Sequence, residues 1–365
     1  MADVLKFLDP YNKDDIRYYF GRNTETDILY EKVKNNPITL FYGLSGTGKT
    51  SMLLCGLANR FDEVDWLPFV IRRGSNTDIL DATLAVLRNC QPGAQANSTK
   101  EKTTAKICLG ELDRIYNRRF LTTYLIFDQL EELFIYGDAP EKKAFIRFLV
   151  DIKEEKPFVK IILVTREEFF VHLDDFETEI PEIFKSRFRL QPMRIEDSAL
   201  PDDFGDFGQQ STELQGVKSI IPAMANALGL EMSPDIVGRV IEQIKVRTKG
   251  TNDSDFNKLE KKIELPYLQI YFRELVKNMQ PEIHRAEGKR VPVQESDLPK
   301  LGSVNDVLTD YLVKCVEEIS KEFSKDERSE ELMEKTVWQA LDTLVSYRGT
   351  KQIKTFENIT EEINT

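Results

Sequence analysis

Histidine is almost missing from this chain: His172 and His284 are the only two in 365 residues. That scarcity argues against a histidine-ligated metal centre and against a histidine-based triad. Cysteine is scarce as well. Cys55, Cys90, Cys108 and Cys315 are scattered without the paired spacing of a zinc or redox site, so reduced thiols in a cytoplasmic protein are the expectation. A basic excess is also lacking. Lys and Arg number 50 against 62 Asp and Glu, and the net charge of −12 speaks against a general nucleic-acid surface. No apolar run has the length of a membrane span, and the opening "MADVLKFLDPYN" has neither the basic nor the apolar region of a signal peptide. There is no internal repeat and no low-complexity tract.

What is present describes a globular protein. The chain is 41% hydrophobic, 31% charged and 10% aromatic, enough to bury a core, and its length suits two or three domains. The most informative stretch is "FYGLSGTGKTSMLL". It fills the phosphate-loop pattern with Gly43, Gly46, Gly48, Lys49 and Thr50. An apolar run of strand length, "ITLFY", precedes it, and Met52, Leu53 and Leu57 follow on one helical face. Strand, glycine loop and helix thus come in the order that cradles phosphate in backbone N–H groups at a helix N-terminus. Gly43, Ser45, Gly46, Thr47, Gly48, Lys49, Thr50 and Ser51 are the candidate nucleotide contacts. Lys49 is expected to reach the β- and γ-phosphates, and the Thr50 hydroxyl to ligate Mg²⁺.

Around this loop, apolar strands alternate with amphipathic helices. "TETDILYEKVKN" reads as a helix with Thr24 as N-cap and Asp27 in the reciprocal capping position. "WLPFVIR" reads as a strand that Pro68 demotes to an edge or a bulge. "TDILDATLAVLRNC" and "STKEKTTAKICLGELDRIYNRR" read as helices joined by "QPGAQAN". "TYLIF" and "VKIILVT" are buried strands, and between them "PEKKAFIRFLVDIKEE" is a helix that Asp138 caps. The alternation predicts a parallel sheet with helices on both faces. After about residue 190 the strands are expected to stop. "PDDFGDFGQQSTELQG" is a polar connection, and helices follow, among them "SPDIVGRVIEQIKVR", "ELPYLQIYFRELVKNM" and a long one from Val304 to Phe323. "ELMEKTVWQALDTLVSY" forms another, and "KQIKTF" and "ENITEEI" begin a strand and a helix.

Three strand ends carry candidate chemistry. Asp128, after "TYLIF", is placed to hold Mg²⁺; otherwise it is an ordinary turn cap. Hydrolytic members of this class often carry a glutamate next, but here Gln129 takes that place and cannot accept a proton. Glu131 or Glu132 substitutes for it, or hydrolysis is slow, or both glutamates form a solvated charge run. Arg166 either reports the γ-phosphate or pairs with Glu167 or Glu168 on the surface. "NKDD" at 12 to 15 imitates a guanine-reading motif but precedes the phosphate loop, so adenine is expected.

These pieces together resemble the STAND class of signal-transduction ATPases, in particular the bacterial branch of conflict-system and anti-phage proteins. The resemblance rests on Phe20, Gly21, Arg22 and Glu25 of "YYFGRNTETDILYEKV", and on "FYGLSGTGKTSMLLCGL", "IFDQLEELF", "IILVTREEFF" and "IELPYLQIYFREL". It implies an α/β P-loop NTPase domain over residues 1–190, with a three-layer parallel sheet. A helical lid over 191–300 and a partial winged helix over 301–365 would follow. Arg22 would sit near the base and ribose, and Pro266 near the adenine. It further implies ADP holding the closed form, ATP driving self-association, and sensor or effector domains beyond Thr365. The apolar faces around Trp338, Leu341 and Val345 would lack part of their cover in this chain. The winged-helix histidine that meets the ADP phosphate in apoptotic and plant-resistance relatives has no counterpart here.

Overall fold

The protein is described here as a computed structural model, covering residues 5–6, 9–74, 77–89, 103–195, 198–199, 213–244, 265–286, 288–299, 304–324, 327–344, 359–360 and 363. Two compact units result, Met1–Pro299 and Lys300–Thr365.

The first unit is built on a five-stranded parallel sheet. Helix α1 (Asn23–Asn35) leads into β1 (Ile38–Gly43) and then α2, which starts at Lys49–Ser51 and continues through a π-type turn, Met52–Gly56, and a 3₁₀ turn, Leu57–Asn59. Next come β2 (Leu67–Ile71), α3 (Ile79–Asn89), α4 (Ala105–Arg119), β3 (Thr123–Phe127), α5 (Glu131–Tyr136), α6 (Ala139–Glu155) and β4 (Val159–Arg166). Helix α7 (Asp174–Glu179) and β5 (Arg187–Arg189) complete the layer. Strand order is β2-β3-β4-β1-β5.

Strand alternation divides the core between the two faces of the sheet. Leu40, Leu125, Phe127, Ile161 and Leu163 join α3, α4 and α6 in one cluster. Their neighbours Phe41, Tyr124, Ile126, Ile162 and Val164 join α1 and α2 in the other. Both faces are therefore covered, which is the three-layer arrangement the sequence predicts. Pro68 sits in β2 at one edge of the sheet, where its missing N–H costs no ladder bond on the open side. Cys55 and Cys108 are core atoms: burial pushes both thiols up to about 12, far from thiolate reactivity.

Several local expectations are corrected. Helix α1 starts at Asn23 after Arg22, with no side-chain cap; Thr24 is buried inside it, and Asp27 pairs with Arg60 instead. Strand β5, which the sequence reading did not name, pairs with β1 from Arg187 to Arg189. Strands do not stop at 190, because two short ribbons follow: β6 (Ser198–Ala199) with β7 (Glu213–Leu214), antiparallel, and β8 (Leu230–Glu231) with β9 (Val291–Pro292), parallel. Helices α8 (Val217–Ala227), α9 (Pro234–Ile244), α10 (Leu265–Asn278) and α11 (Gln280–Arg285) follow β5 in this unit, and short 3₁₀ helices span Lys13–Tyr18, Glu167–Leu173 and Glu295–Asp297.

In the second unit α12 (Val304–Phe323) packs against α13 (Glu327–Thr343), and Trp338 and Leu341 are half-buried. "QPGAQAN", "KQIKTF", Cys90, Val345 and most of both "PDDFGDFGQQSTELQG" and "ENITEEI" lie outside the described residues, as do the side chains of Val307, Leu308 and Tyr311.

The link from β2 to α3 is held by one buried ion pair. Glu141, on α6, accepts from Arg73 Nε at 2.8 Å and Nη2 at 2.7 Å, and from the first N–H of α3, Ile79, at 2.8 Å. Arg73 and Glu141 are each 8% exposed, so cutting the pair strands a guanidinium and a helix-end N–H. Glu141→Ala is expected to cost about 3 kcal/mol of unfolding free energy. A denaturant titration checks this, and a loss under about 1 kcal/mol would show the pair to be dispensable.

Candidate functional site

The C-terminal ends of β1, β3 and β4 open into a cleft of about 550 Å³ in the first unit, a size suited to a small ligand. In open parallel α/β sheets this edge is where ligands bind. The phosphate loop forms its floor. Gly46 and Gly48 have φ of +75° and +89°, a region where a side chain is strained. Gly43 answers a different need: a Cβ there would lie 2.5 Å from the Leu190 carbonyl oxygen, against which β1 packs.

Lys49 reaches back along its own loop and donates to the carbonyls of Gly43 at 2.7 Å and Leu44 at 2.9 Å. Burial lowers its pKa, Glu131 and Asp128 oppose the shift, and Arg166 adds to it. Thr50 Oγ1 donates to Asp128 Oδ2 at 3.3 Å. The hydroxyl and the carboxylate are thus adjacent, and Asp128 is only 4% exposed. That donor set, one hydroxyl and one acid beside glycine N–H groups, fits a hard cation shared with a polyphosphate. The described residues contain no cluster of three or more His, Cys, Asp or Glu that would hold a metal unaided.

Arg166 turns inward. Its Nε contacts Glu131 Oε1 at 3.0 Å, and its backbone N–H reaches Glu131 Oε2 at 3.3 Å. Glu167, one of the surface partners weighed from sequence, pairs with Arg189. Glu131 is buried and committed to Arg166. Glu132 points elsewhere, accepting the Gly74 N–H at 2.8 Å, and does not line the cleft. Gly43 does not line it either; its carbonyl serves Lys49. Gln129 does, with a backbone φ of +60° that is unusual for a residue bearing a side chain.

Arg22 ties the entrance together. It is 5% exposed, pairs with Glu25 through Nη1, and donates through Nη2 to the carbonyls of Gln191 at 2.9 Å and Thr47 at 3.4 Å. Its Nε is buried without a partner. Gly21, at φ +78°, lets Ile220 of α8 approach so closely that a Cβ would lie 2.0 Å from Cδ1. Ser51 Oγ accepts the Tyr11 N–H at 3.2 Å, seating the N-terminal segment over α2. Met193, Ile220, Met224, Leu265 and Pro266 give the cleft an apolar part of its lining. Ser45, Gly46, Thr47, Gly48, Lys49, Thr50, Ser51, Arg22, Asp128, Glu131, Arg166 and Pro266 therefore all face one cleft.

Sequence reasoning missed Arg72. It follows β2 and donates to Asp128 Oδ2 from Nε at 3.1 Å and Nη2 at 2.7 Å. The signal was a charged residue just beyond an apolar strand, the same cue that singled out Asp128 and Arg166.

No curated protein sequence matches the chain. Among solved structures it is similar to a Walker-type ATPase of Pyrococcus abyssi, at 16% identity and TM-score 0.50, covering 99% of this chain and 93% of that one. It is also similar to Aeropyrum pernix ORC1 in complex with DNA, at 14% identity and TM-score 0.51, covering 100% and 86%. The ADP form of Aeropyrum pernix ORC2 resembles it at 12% identity and TM-score 0.51, covering 100% and 88%. At such identities these likenesses speak for the fold alone. The family model described as Novel STAND NTPase 1 matches residues 6–200, the stretch that holds the sheet, the phosphate loop, Asp128 and Arg166. With more than half of its length covered, and with a phosphate loop at the C-terminal edge of a parallel sheet, the chain belongs to the STAND NTPases.

Proposed function

We propose that this protein is a nucleotide-operated switch that binds ATP or ADP with Mg²⁺ and serves in bacterial anti-phage defence or signalling. The observation that carries the reading is the mixed lining of the cleft. Lys49, Arg166 and the Thr50–Asp128 pair line the same cleft as Pro266 and its apolar neighbours. A polyphosphate suits the charged group and a flat base the apolar one.

Residues 1–190 would hold the nucleotide, 191–300 act as the lid that brings Pro266 to the base, and 301–365 contribute a winged-helix-like element. Thr50 and Asp128 would hold Mg²⁺, which when bound neutralises phosphate charge. Lys49 would trade its two loop carbonyls for phosphate oxygens and regain solvation lost to burial. Arg166, oriented by Glu131, would answer to the γ-phosphate. Shifting a two-state equilibrium from 1:99 to 99:1 takes about 5.5 kcal/mol of differential binding. Two or three charge-assisted bonds, at about 1.5–3 kcal/mol each, supply it. The ADP form would be closed, and the ATP form would self-associate under the control of sensor or effector domains.

A second reading is an ATPase that works on nucleic acid, since the similar Aeropyrum pernix ORC1 was solved with DNA. The net charge of −12 weighs against it. Among the described residues no helix is long and apolar enough to cross a membrane, which agrees with a cytoplasmic site of action.

Removing the lysine is the first test. Lys49→Ala is expected to weaken ATP and ADP binding at least about tenfold, the cost of one strong charged contact. A fluorescent-nucleotide titration measures it, and full affinity in a folded variant would end the nucleotide reading. Arg166→Ala should spare ADP and weaken ATP about tenfold, because only ATP offers a γ-phosphate. Equal losses for both nucleotides would show Arg166 to be structural. Turnover should stay well below the ~10 s⁻¹ typical of enzymes, because Gln129 cannot take a proton. Gln129→Glu should raise it roughly tenfold or more. Turnover at tens per second in the unmodified protein, or stimulation by added DNA, would favour the motor reading instead.

A further inference from the structure

Asp128 is the acid at the cleft that a divalent cation would need, and its carboxylate is already engaged. Oδ1 accepts the Gln129 N–H at 3.1 Å. Oδ2 accepts three donors: Arg72 Nη2 at 2.7 Å, Arg72 Nε at 3.1 Å and Thr50 Oγ1 at 3.3 Å. The guanidinium therefore lies on the same oxygen that Thr50 addresses. We propose that Arg72 is an internal stand-in for the metal: it neutralises Asp128 while the cation site is empty and must swing away when Mg²⁺ arrives with nucleotide. This inference rests on the nucleotide reading given above.

Two features separate Arg72 from a fixed structural pair. The first is the asymmetry of exposure. The Asp128 side chain is 3% exposed and the Arg72 side chain 47%, so the acid is fixed while the arginine has solvent to move into. The second is the contrast with the next residue. Arg73 faces the opposite way, is 8% exposed, and is clamped by Glu141. Arg73 anchors the end of β2, and Arg72 extends from that anchor. Among the described residues both hydrogen bonds of the Arg72 side chain go to Asp128 Oδ2. Its release breaks both bonds to this single partner, and the cation that displaces it restores the charge balance. A buried carboxylate without any counter-charge would be costly, and Arg72 removes that cost from the metal-free protein. Metal binding is thereby made competitive, so nucleotide held without metal and nucleotide held with it differ in where Arg72 rests.

The test is a Mg²⁺ titration of the full chain with a fluorescent ADP analogue in chelator-buffered solution, reading the Mg²⁺ midpoint for nucleotide binding. Arg72→Ala is expected to lower that midpoint about two- to fivefold, the factor that a half-exposed ion pair imposes on a competitor. In EDTA the variant leaves Asp128 without its counter-charge, so its affinity for the analogue should fall there and recover as Mg²⁺ is added. Arg72→Lys, which keeps the charge but loses the forked geometry, should fall between the alanine variant and the unmodified protein. An unchanged or raised midpoint in Arg72→Ala would overturn the proposal. An equal loss of affinity with and without Mg²⁺ would overturn it too, by making Arg72 a phosphate ligand. Failure of the unmodified protein to bind the analogue at any Mg²⁺ concentration would overturn the nucleotide reading and this inference together. Normal binding with no midpoint shift would overturn this inference alone.

Discussion

Charge at the mouth of a parallel sheet must be matched before it can be buried, and that constraint orders the whole cleft. Arg22 is met by Glu25, Arg72 by Asp128 and Arg166 by Glu131. Lys49 is the exception. Its hydrogen bonds go to backbone carbonyls, and burial lowers its pKa. Carbonyl dipoles offer a buried ammonium less than a full counter-charge does. An incoming anion is thus worth most at Lys49, whereas at the three arginines it must compete with an existing partner. The same rule supports the site from behind, where Glu141 holds Arg73 and with it the turn from which Arg72 projects.

Much of this arrangement was legible in the chain. Near-continuous apolar runs such as "TYLIF" and "VKIILVT", short and rich in β-branched and aromatic residues, read as strands covered on both faces, and a charged residue at the end of each then falls at one edge of the sheet. The glycine spacing marked the loop between β1 and α2. β5 was not legible because three residues, "RFR", carry one inward side chain and two charges, too short a pattern to separate from a loop. β8 and β9 escaped for another reason: each is two residues long and its partner is remote in sequence. The N-cap of α1 was misplaced by two residues because Thr24 has the chemistry of a cap, yet Arg22 is drawn into place by Glu25 and Gln191.

The candidate site was legible to a similar depth. Strand ends could be named, but the direction of each side chain could not. Glu131 and Glu132 are adjacent and chemically identical. One turns to Arg166 inside the cleft, and the other caps the N–H of Gly74 outside it. Arg72 and Arg73 divide in the same way, one to Asp128 and one to Glu141. In both pairs the choice is made by a partner far away in sequence, which no local pattern reports.

The β8–β9 ribbon has a consequence for how the molecule assembles. Leu230 lies beside Val291 and Glu231 beside Pro292, so the ribbon ties off the stretch of chain that contains α9, α10 and Pro266. Closing a loop of that length carries an entropic cost that grows only slowly with length, but it must be met before the first contact pays it back. Contacts between remote residues set the pace of folding more than local helices do. Leu265 and Pro266, which line the cleft, lie inside the stretch that the ribbon closes, so their placement depends on a contact between residues remote in sequence.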